Sequence, residues 1–425
     1  MRIRPLPSIS RTRALALSAL LAATIAALLG PSLASAKPAK RAVVTVRAVE
    51  VGAPGNPAVA IVPFEDAIYL SCDDAPSGSG GCQAVGDVDY RYGIGELEIT
   101  VEQWVAFLNT VDPSGSDRHR LYTRTQGSSL WPKYGQIDRS ASARKGQHYS
   151  VAYPEWADKP YGFASFLSAA RFVNALENGR LRAKTAGAQD GFEYVSYEVR
   201  LSRKTERGMY DLARDGGAGA TRDRKRGFVV PSQDEWIKAA YYDPSGGGTY
   251  SYWKYPTNPG VFGDDTATAP SQTTLDPSTG EVTNAATQPL ASYHDSDLPA
   301  PSWCPAAVPP DDCSSVNPFG IDPTTYAELY QGSLGAVGQA LTTSPWGTLD
   351  QGGNAVEWTD TITPPPGGKG KRVWRRLHGG ISNAPAYQLW LSAVGLQPQD
   401  NAFYDRTYPW LGFRVGVIGD PKPER

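Results

Sequence analysis

The sequence predicts an α+β domain made of a few short helices, many short strands and much ordered loop. Three observations predict it. Gly (44) and Pro (35) are frequent, so the chain turns often. Trp (11) and Tyr (22) are abundant, so aromatic side chains do much of the packing. Helical periodicity appears in only three short windows, and strand-like alternation recurs between them. The 425 residues suffice for one large domain or two ordinary ones, and no internal repeat is visible.

The first 36 residues read as a secretory signal peptide. Arg2, Arg4, Arg11 and Arg13 make a basic start, Ala14–Gly30 is an apolar run, and Ala34-Ser35-Ala36 offers a small-residue cleavage site. The run is short for a membrane span, which needs roughly 20 residues. The expected mature protein is therefore secreted or periplasmic and carries no membrane segment. Its 37 basic residues face 43 acidic ones, a formal charge of −6. That balance gives no basic excess for nucleic acid.

Ala42–Val51 is strand-like, and Gly86–Thr100 alternates. Thr100 and Gln103 form a capping box ahead of an apolar face of Val101, Trp104, Val105 and Leu108. A second helix spans Ser165–Gly179, with Phe166, Ala169, Ala170, Val173 and Leu176 on one stripe. Asn178-Gly179 is expected to stop it, glycine supplying the left-handed backbone of a C-cap. Residues 181–226 are charged and read as an irregular, solvated insertion. Ser232 and Glu235 cap a third helix whose apolar side is Trp236, Ala239 and Ala240. Loops fill 243–345, and strands return at Asn354–Asp360, Arg372–Gly380 and Trp410–Gly419.

Four cysteines, Cys72, Cys82, Cys304 and Cys313, fall in two Gly/Pro/Asp/Ser-rich stretches. In an exported chain they read as disulfides, and of the three possible connectivities Cys72–Cys82 with Cys304–Cys313 is preferred. The spacing does not match a zinc site.

On its residues alone the segment "DQGGNAVEW" (Asp350–Trp358) reads as a strand entry with an acidic surface pair, and it also has the oxygen donors of a calcium loop. Calcium takes six to eight oxygen ligands, mixing carboxylates with carbonyls. In an extended segment the carbonyls at i and i+2 face one side, which groups Gly353, Ala355 and Glu357, with Asp350 adding charge across Gly352-Gly353. His378, Ser382, Asn383, Tyr387, Trp390 and Arg414 are the polar and aromatic candidates for a cleft. Ser382 has no triad partner at readable spacing, and Arg414 reads as a tie between the last strand and a loop carboxylate.

"GIGELEITVEQWVAFLN", "FASFLSAARFVNALENG", "VVPSQDEWIKAAYY", "SPWGTLDQGGNAVEWTD", "HGGIS" and "WLGFRVGV" occur in this order. Together they resemble the formylglycine-generating enzyme (sulfatase-modifying factor) family, over one domain of residues 43–419. The resemblance implies a C-type-lectin-like fold with small twisted antiparallel sheets and long loops pinned by calcium. It implies that Asp350 and Glu357 bind calcium through side chains, Gly353 and Ala355 through carbonyls, and that a second site lies near Asn284. The family's oxidising members hold copper(I) on two cysteines after an Arg-Gly-Gly-Ser-like turn. Here the turn is His378-Gly379-Gly380-Ile381, and the cysteine positions fall on Ala384 and Leu389. No copper and no formylglycine-generating activity are expected. A related group of iron enzymes uses a histidine cluster from an additional helical domain; His119, His148, His294 and His378 make no such set. The expected function is a calcium-stabilised module that binds a peptide, glycan or protein. The alternative is an enzyme of the same family with different cleft chemistry.

Overall fold

A computed structural model describes residues 42–61, 83–122, 126–129, 135–214, 217, 219–246, 251–262, 267–276, 279, 281–284, 289–293, 334–364, 373–382, 386–393, 395–398 and 410–421. The signal segment, all four cysteines, Asn383 and Ala384 lie outside the described residues. The helices are α1 (Val101–Val111), α2 (Phe166–Glu177) and α3 (Gln233–Tyr241). The strands that position the site are β1 (Val43–Val51), β2 (Tyr92–Gly95), β3 (Arg180–Gln189), β4 (Phe192–Arg200), β5 (Gly227–Val229), β6 (Val356–Thr363), β7 (Trp374–His378), β8 (Gly395–Pro398), β9 (Leu411–Gly412) and β10 (Gly416–Ile418).

The three α-helices among the described residues all begin where side chains can close a capping box. Thr100 accepts from the Gln103 backbone while Gln103 reaches back, and Ser165 with Ser168 and Ser232 with Glu235 repeat the exchange. The stop of α2 differs from expectation. Gly179 is not in the left-handed region. A Cβ there would lie 2.6 Å from Val199 Cγ1 and 2.7 Å from the Arg200 carbonyl oxygen. The glycine is required by close approach to β4 rather than by a positive φ.

Six strands form the main antiparallel sheet in the order β3-β4-β1-β2-β10-β5. A second sheet runs β8-β7-β6-β9, with β9 parallel to β6. Strand β1 buries both of its faces. Val44, Val46 and Ala48 join the cluster under α1 and α2, whereas Val49 and Val51 pack with Ala239 of α3. In the main core Trp104 stacks on Tyr161 at 4.2 Å and 10°, with Phe172 and Phe413 each 5.9 Å away. That single indole therefore joins α1, α2, the Tyr161 loop and the C-terminal strands.

Residues 181–226 are a correction to the sequence reading. Most of 180–200 is a regular hairpin, β3 and β4, that extends the main sheet through β1. Asp190 (φ 53°) and Gly191 (φ 89°) turn it. An Asp-Gly pair with both φ positive is a hairpin turn that matches strand twist; the high charge of the segment masked that signal. The return segment is anchored by Met209 and Tyr210, both fully buried.

Trp104→Ala should cost about 3–5 kcal/mol, as removal of a buried aromatic does. Urea unfolding followed by tryptophan fluorescence measures it, and a loss below about 1 kcal/mol would contradict the central placement of this ring.

Candidate functional site

The candidate site is the loop that leads into β6. Asp350, Gly353 and Asn354 all have left-handed backbone, with φ of 56°, 87° and 59°. The alternation that grouped Gly353, Ala355 and Glu357 therefore fails at its start: the chain coils through Asn354 and becomes extended at Val356. Gly353 has no substitute, because a Cβ would fall 1.9 Å from the Ser292 carbonyl oxygen. The coil is pinned from several directions. Gly353 N–H donates to the Gly379 carbonyl (2.7 Å) and Asn354 N–H to the Ser292 carbonyl (2.8 Å). Gly335 N–H donates to Asn354 Oδ1 (3.1 Å). Glu98 accepts from Asn354 Nδ2 (3.1 Å) and Ala355 N–H (3.0 Å).

Below the coil lies a buried ion pair. Glu357 and Arg414 are both 0% exposed. Arg414 Nε and Nη2 donate to the Glu357 carboxylate at 2.6–2.9 Å. The rest of the guanidinium donates to the carbonyls of Gly95, Glu96 and Leu349. Trp236 Nε1 donates to Glu357 Oε2 at 2.8 Å. Arg414 joins β2, the Leu349 loop and β6; the carboxylate it ties, Glu357, lies on strand β6 rather than in a loop as expected.

Three buried carboxylates, Glu98, Asp350 and Glu357, thus face one guanidinium. Burial, then the charges of Asp350 and Glu357, pushes Glu98 well above the usual carboxylate range. Burial pushes Asp350 up to about 6, against the opposing Gly338 N–H and Arg414. On charge, this surplus fits a divalent cation. On geometry, the fit is partial. A carboxylate offers about four acceptor directions, and Glu357 already receives three contacts from Arg414 and one from Trp236. Among the described residues no three His, Cys, Asp or Glu side chains converge as a metal cluster. The oxygen donors that could hold calcium are Asp350 and the Gly353 and Ala355 carbonyls; Glu357 could join them only by giving up one of its bonds to Arg414 or Trp236. Asn284 instead spends both ends of its amide on Thr274 N–H and the Gln272 carbonyl.

The cleft candidates divide. Tyr387 and Trp390, both half-buried, meet edge to face at 6.3 Å. Trp390 Nε1 donates to Tyr255 Oη (2.8 Å), and Lys254 Nζ lies 4.8 Å from the centroid of the Trp390 ring. These residues form an aromatic wall beside Tyr293. Ser382 is buried, and its N–H donates to the Asn354 carbonyl (3.1 Å), so it belongs to the loop. His378 is 1% exposed and stacks on Trp236 at 5.2 Å and 22°. Among the described residues neither ring nitrogen has a well-formed hydrogen bond, the Ala393 backbone being a weak polar neighbour. Burial first, and Arg376 second, push its pKa down to about 3. It is a neutral core imidazole rather than an exposed acid or base.

Sequence reading missed Glu98, whose signal was an acid set among apolar residues in "GELEIT", and Trp236 as a donor. It also missed a second buried ion network. Arg222 donates to both oxygens of Glu235 (2.8 and 2.7 Å) and pairs with Asp360, while Tyr90 and Tyr210 donate to those two acids. Nothing in local pattern marks Arg222, which sits in a run of exposed cations.

With this geometry in place, comparison with known proteins gives the family. The profile of the sulfatase-modifying factor enzyme 1-like domain matches residues 84–416. The chain belongs to this family. No curated protein sequence matches it. Among solved structures the chain is similar to Treponema denticola variable protein 1, at 15% identity and a TM-score of 0.39, over 90% of this chain and 100% of that one. It is similar to CarF, at 14% identity and a TM-score of 0.36, over 90% of this chain and 100% of that one. PvdO from Pseudomonas aeruginosa is similar at 12% identity and a TM-score of 0.36, over 89% of this chain and 94% of that one. The sulfatase-modifying factor domain accounts for the α+β architecture, with its three helices among the described residues and its several small sheets.

Two outcomes follow from the buried groups. Arg414→Met should destabilise by about 3–5 kcal/mol, because it leaves the Glu357 carboxylate uncompensated. The double variant Arg414→Met/Glu357→Leu should recover part of that loss in urea titrations. The second concerns His378. Its folded pKa lies below the unfolded value near 6.5, so the unfolded chain takes up protons first. Stability on this account falls as pH drops from about 6.5 towards 3. Asp350, whose folded pKa is raised, acts in the opposite sense from about 4 to 6. Comparing thermal melts of wild type with His378→Phe across that range isolates the histidine: the variant should lose less on acidification.

Proposed function

We propose that this is an exported, calcium-stabilised binding module of the sulfatase-modifying factor family, without copper-dependent cysteine oxidation. One observation carries the reading. Leu389, at the position where the family's oxidising members have a thiol, is 0% exposed and packs among Tyr255, Ala291 and Tyr293. An aliphatic side chain holds no copper(I), which prefers thiolates. The partner position is Ala384, and the four cysteines all lie N-terminal to this segment.

What remains beside the apolar position is the aromatic wall of Tyr387, Trp390 and Tyr255. Rigid aromatic faces with polar tips suit a peptide or glycan ligand. Calcium is the cation proposed for the Glu98–Asp350–Glu357 surplus, held by Asp350 and the Gly353 and Ala355 carbonyls. It would neutralise the carboxylates and stiffen the coil beneath the wall. The signal segment, the two disulfides and release outside the cytoplasm belong to the same reading.

The test has two parts. Calcium should raise the melting temperature of the purified protein, and a chelator should reverse it. Asp350→Asn should abolish the shift, and the affinity should fall as pH drops through about 6, where Asp350 takes up a proton. A protein indifferent to calcium and chelator overturns the metal assignment. Copper(I) titration with a cysteine-peptide oxidation assay should give neither stoichiometric binding nor aldehyde; turnover would restore the enzymatic alternative.

A further inference from the structure

A cavity of about 100 Å³ opens between the tip of the β3–β4 hairpin and the loop that precedes Asp350. Gln189, Asp190, Phe192 and Tyr194 of the hairpin form one wall, and Leu341, Thr343 and Gly347 form the other. Arg47 of β1 and Glu96, just past β2, complete the polar lining. The two walls are held at a fixed spacing. Gly347 runs so close to Phe192 that a Cβ would lie 2.4 Å from its Cγ. The loop is closed on itself by Gly347 N–H to the Ser344 carbonyl (3.0 Å) and Ser344 N–H to the Thr348 carbonyl (2.9 Å). Leu349 N–H then ties it to the Glu96 carbonyl at 2.8 Å.

The lining carries one cation and two anions. The cation is committed. Arg47 Nε lies 3.0 Å from Glu96 Oε2, its Nη2 donates to Gln189 Oε1 at 2.9 Å, and its guanidinium sits 3.8 Å over the Tyr194 ring. Among the described residues Asp190 has no cationic partner; it accepts only from Gln189 Nε2, at 3.3 Å. Its charge reaches Glu96. Burial raises the Glu96 carboxyl above its ordinary range, Arg47 and Arg414 oppose the rise, and Asp190 adds to it. The cavity is therefore left with an excess of negative charge. Leu341 is a separate observation. It is 61% exposed and has left-handed backbone, with φ of 56°. A branched side chain is strained there, and an exposed leucine gains no burial to offset the strain. Strain of this kind clusters at ligand sites, and here it sets an apolar edge on the lining.

We infer that this cavity receives the lysine side chain of a peptide. Lysine combines an apolar stem with a charged tip. The stem packs on Phe192, Leu341 and Leu349, and the ammonium meets the negative charge of Glu96 and Asp190. Arg47 already covers the Tyr194 ring, so a compact ammonium fits better than a second planar guanidinium. The site shares no residue with the aromatic wall or with the proposed calcium donors, and it depends on neither.

The test uses the purified full chain. Saturation-transfer NMR titrates Nα-acetyl-lysine methylamide against its norleucine analogue, which keeps the stem and lacks the ammonium. The lysine compound should bind, and the norleucine compound should bind roughly tenfold more weakly, the loss of one hydrogen bond between charged groups. Asp190→Asn removes the charge and keeps a residue that tolerates the left-handed turn. It should weaken the lysine compound roughly fivefold, the upper worth of an exposed ion pair, with the melting temperature unchanged. Thr343→Trp fills the cavity and should abolish binding of both compounds. Equal binding of the two compounds, binding of neither, or undiminished binding to either variant overturns the proposal. So does n-butylamine bound as tightly as the lysine compound, which would assign the cavity to free amines.

Discussion

The pairing of Glu357 with Arg414 is the constraint on which the rest of the structure depends. Two charges without solvent contact are costly to bury singly and tolerable only when each is fully hydrogen-bonded. Here the guanidinium is satisfied by one carboxylate and three backbone carbonyls, and the carboxylate by that guanidinium and an indole. Those partners come from β2, from the loop before Asp350, from α3 and from both C-terminal strand regions. No one of these elements can shift without stranding a charge. The pair fixes where the second sheet meets the first.

The coil above the pair inherits its shape from that fixed point. Gly353 passes the Ser292 backbone too closely for any side chain, and Asn354 turns left-handed because both ends of its amide are captured. The result concentrates carboxylates that water cannot screen. Such a site raises its own pKa values, as burial does for Glu98 and Asp350. The aromatic wall stands on the other side of the chain reversal at Gly379-Gly380, packed against the buried Leu389.

Much of the fold was legible because its signals are local. Two capping boxes, Thr100 with Gln103 and Ser232 with Glu235, marked helix starts to the residue, while the third, Ser165 with Ser168, emerged only in the structure; each predicted apolar stripe faces the core apart from Val105, which is partly buried. The family resemblance drew on the same local blocks, and it identified the loop that now sits over the ion pair. The hairpin of β3 and β4 was misread, although Asp190-Gly191 announced it, because its charges resembled a solvated insertion. The stop of α2 was placed correctly for the wrong reason: Gly179 is needed for room, not for a rare backbone angle.

The sequence by itself determined the helices, the turn-rich α+β class and the candidate loop, since each rests on neighbours within a few residues. Tertiary structure alone decided which polar groups meet. Glu98 and Asn354 are 256 positions apart in the chain, and Arg414 and Gly95 are 319 apart. No periodicity reports such contacts. They exist because buried charges and backbone groups must find partners wherever the fold brings them together.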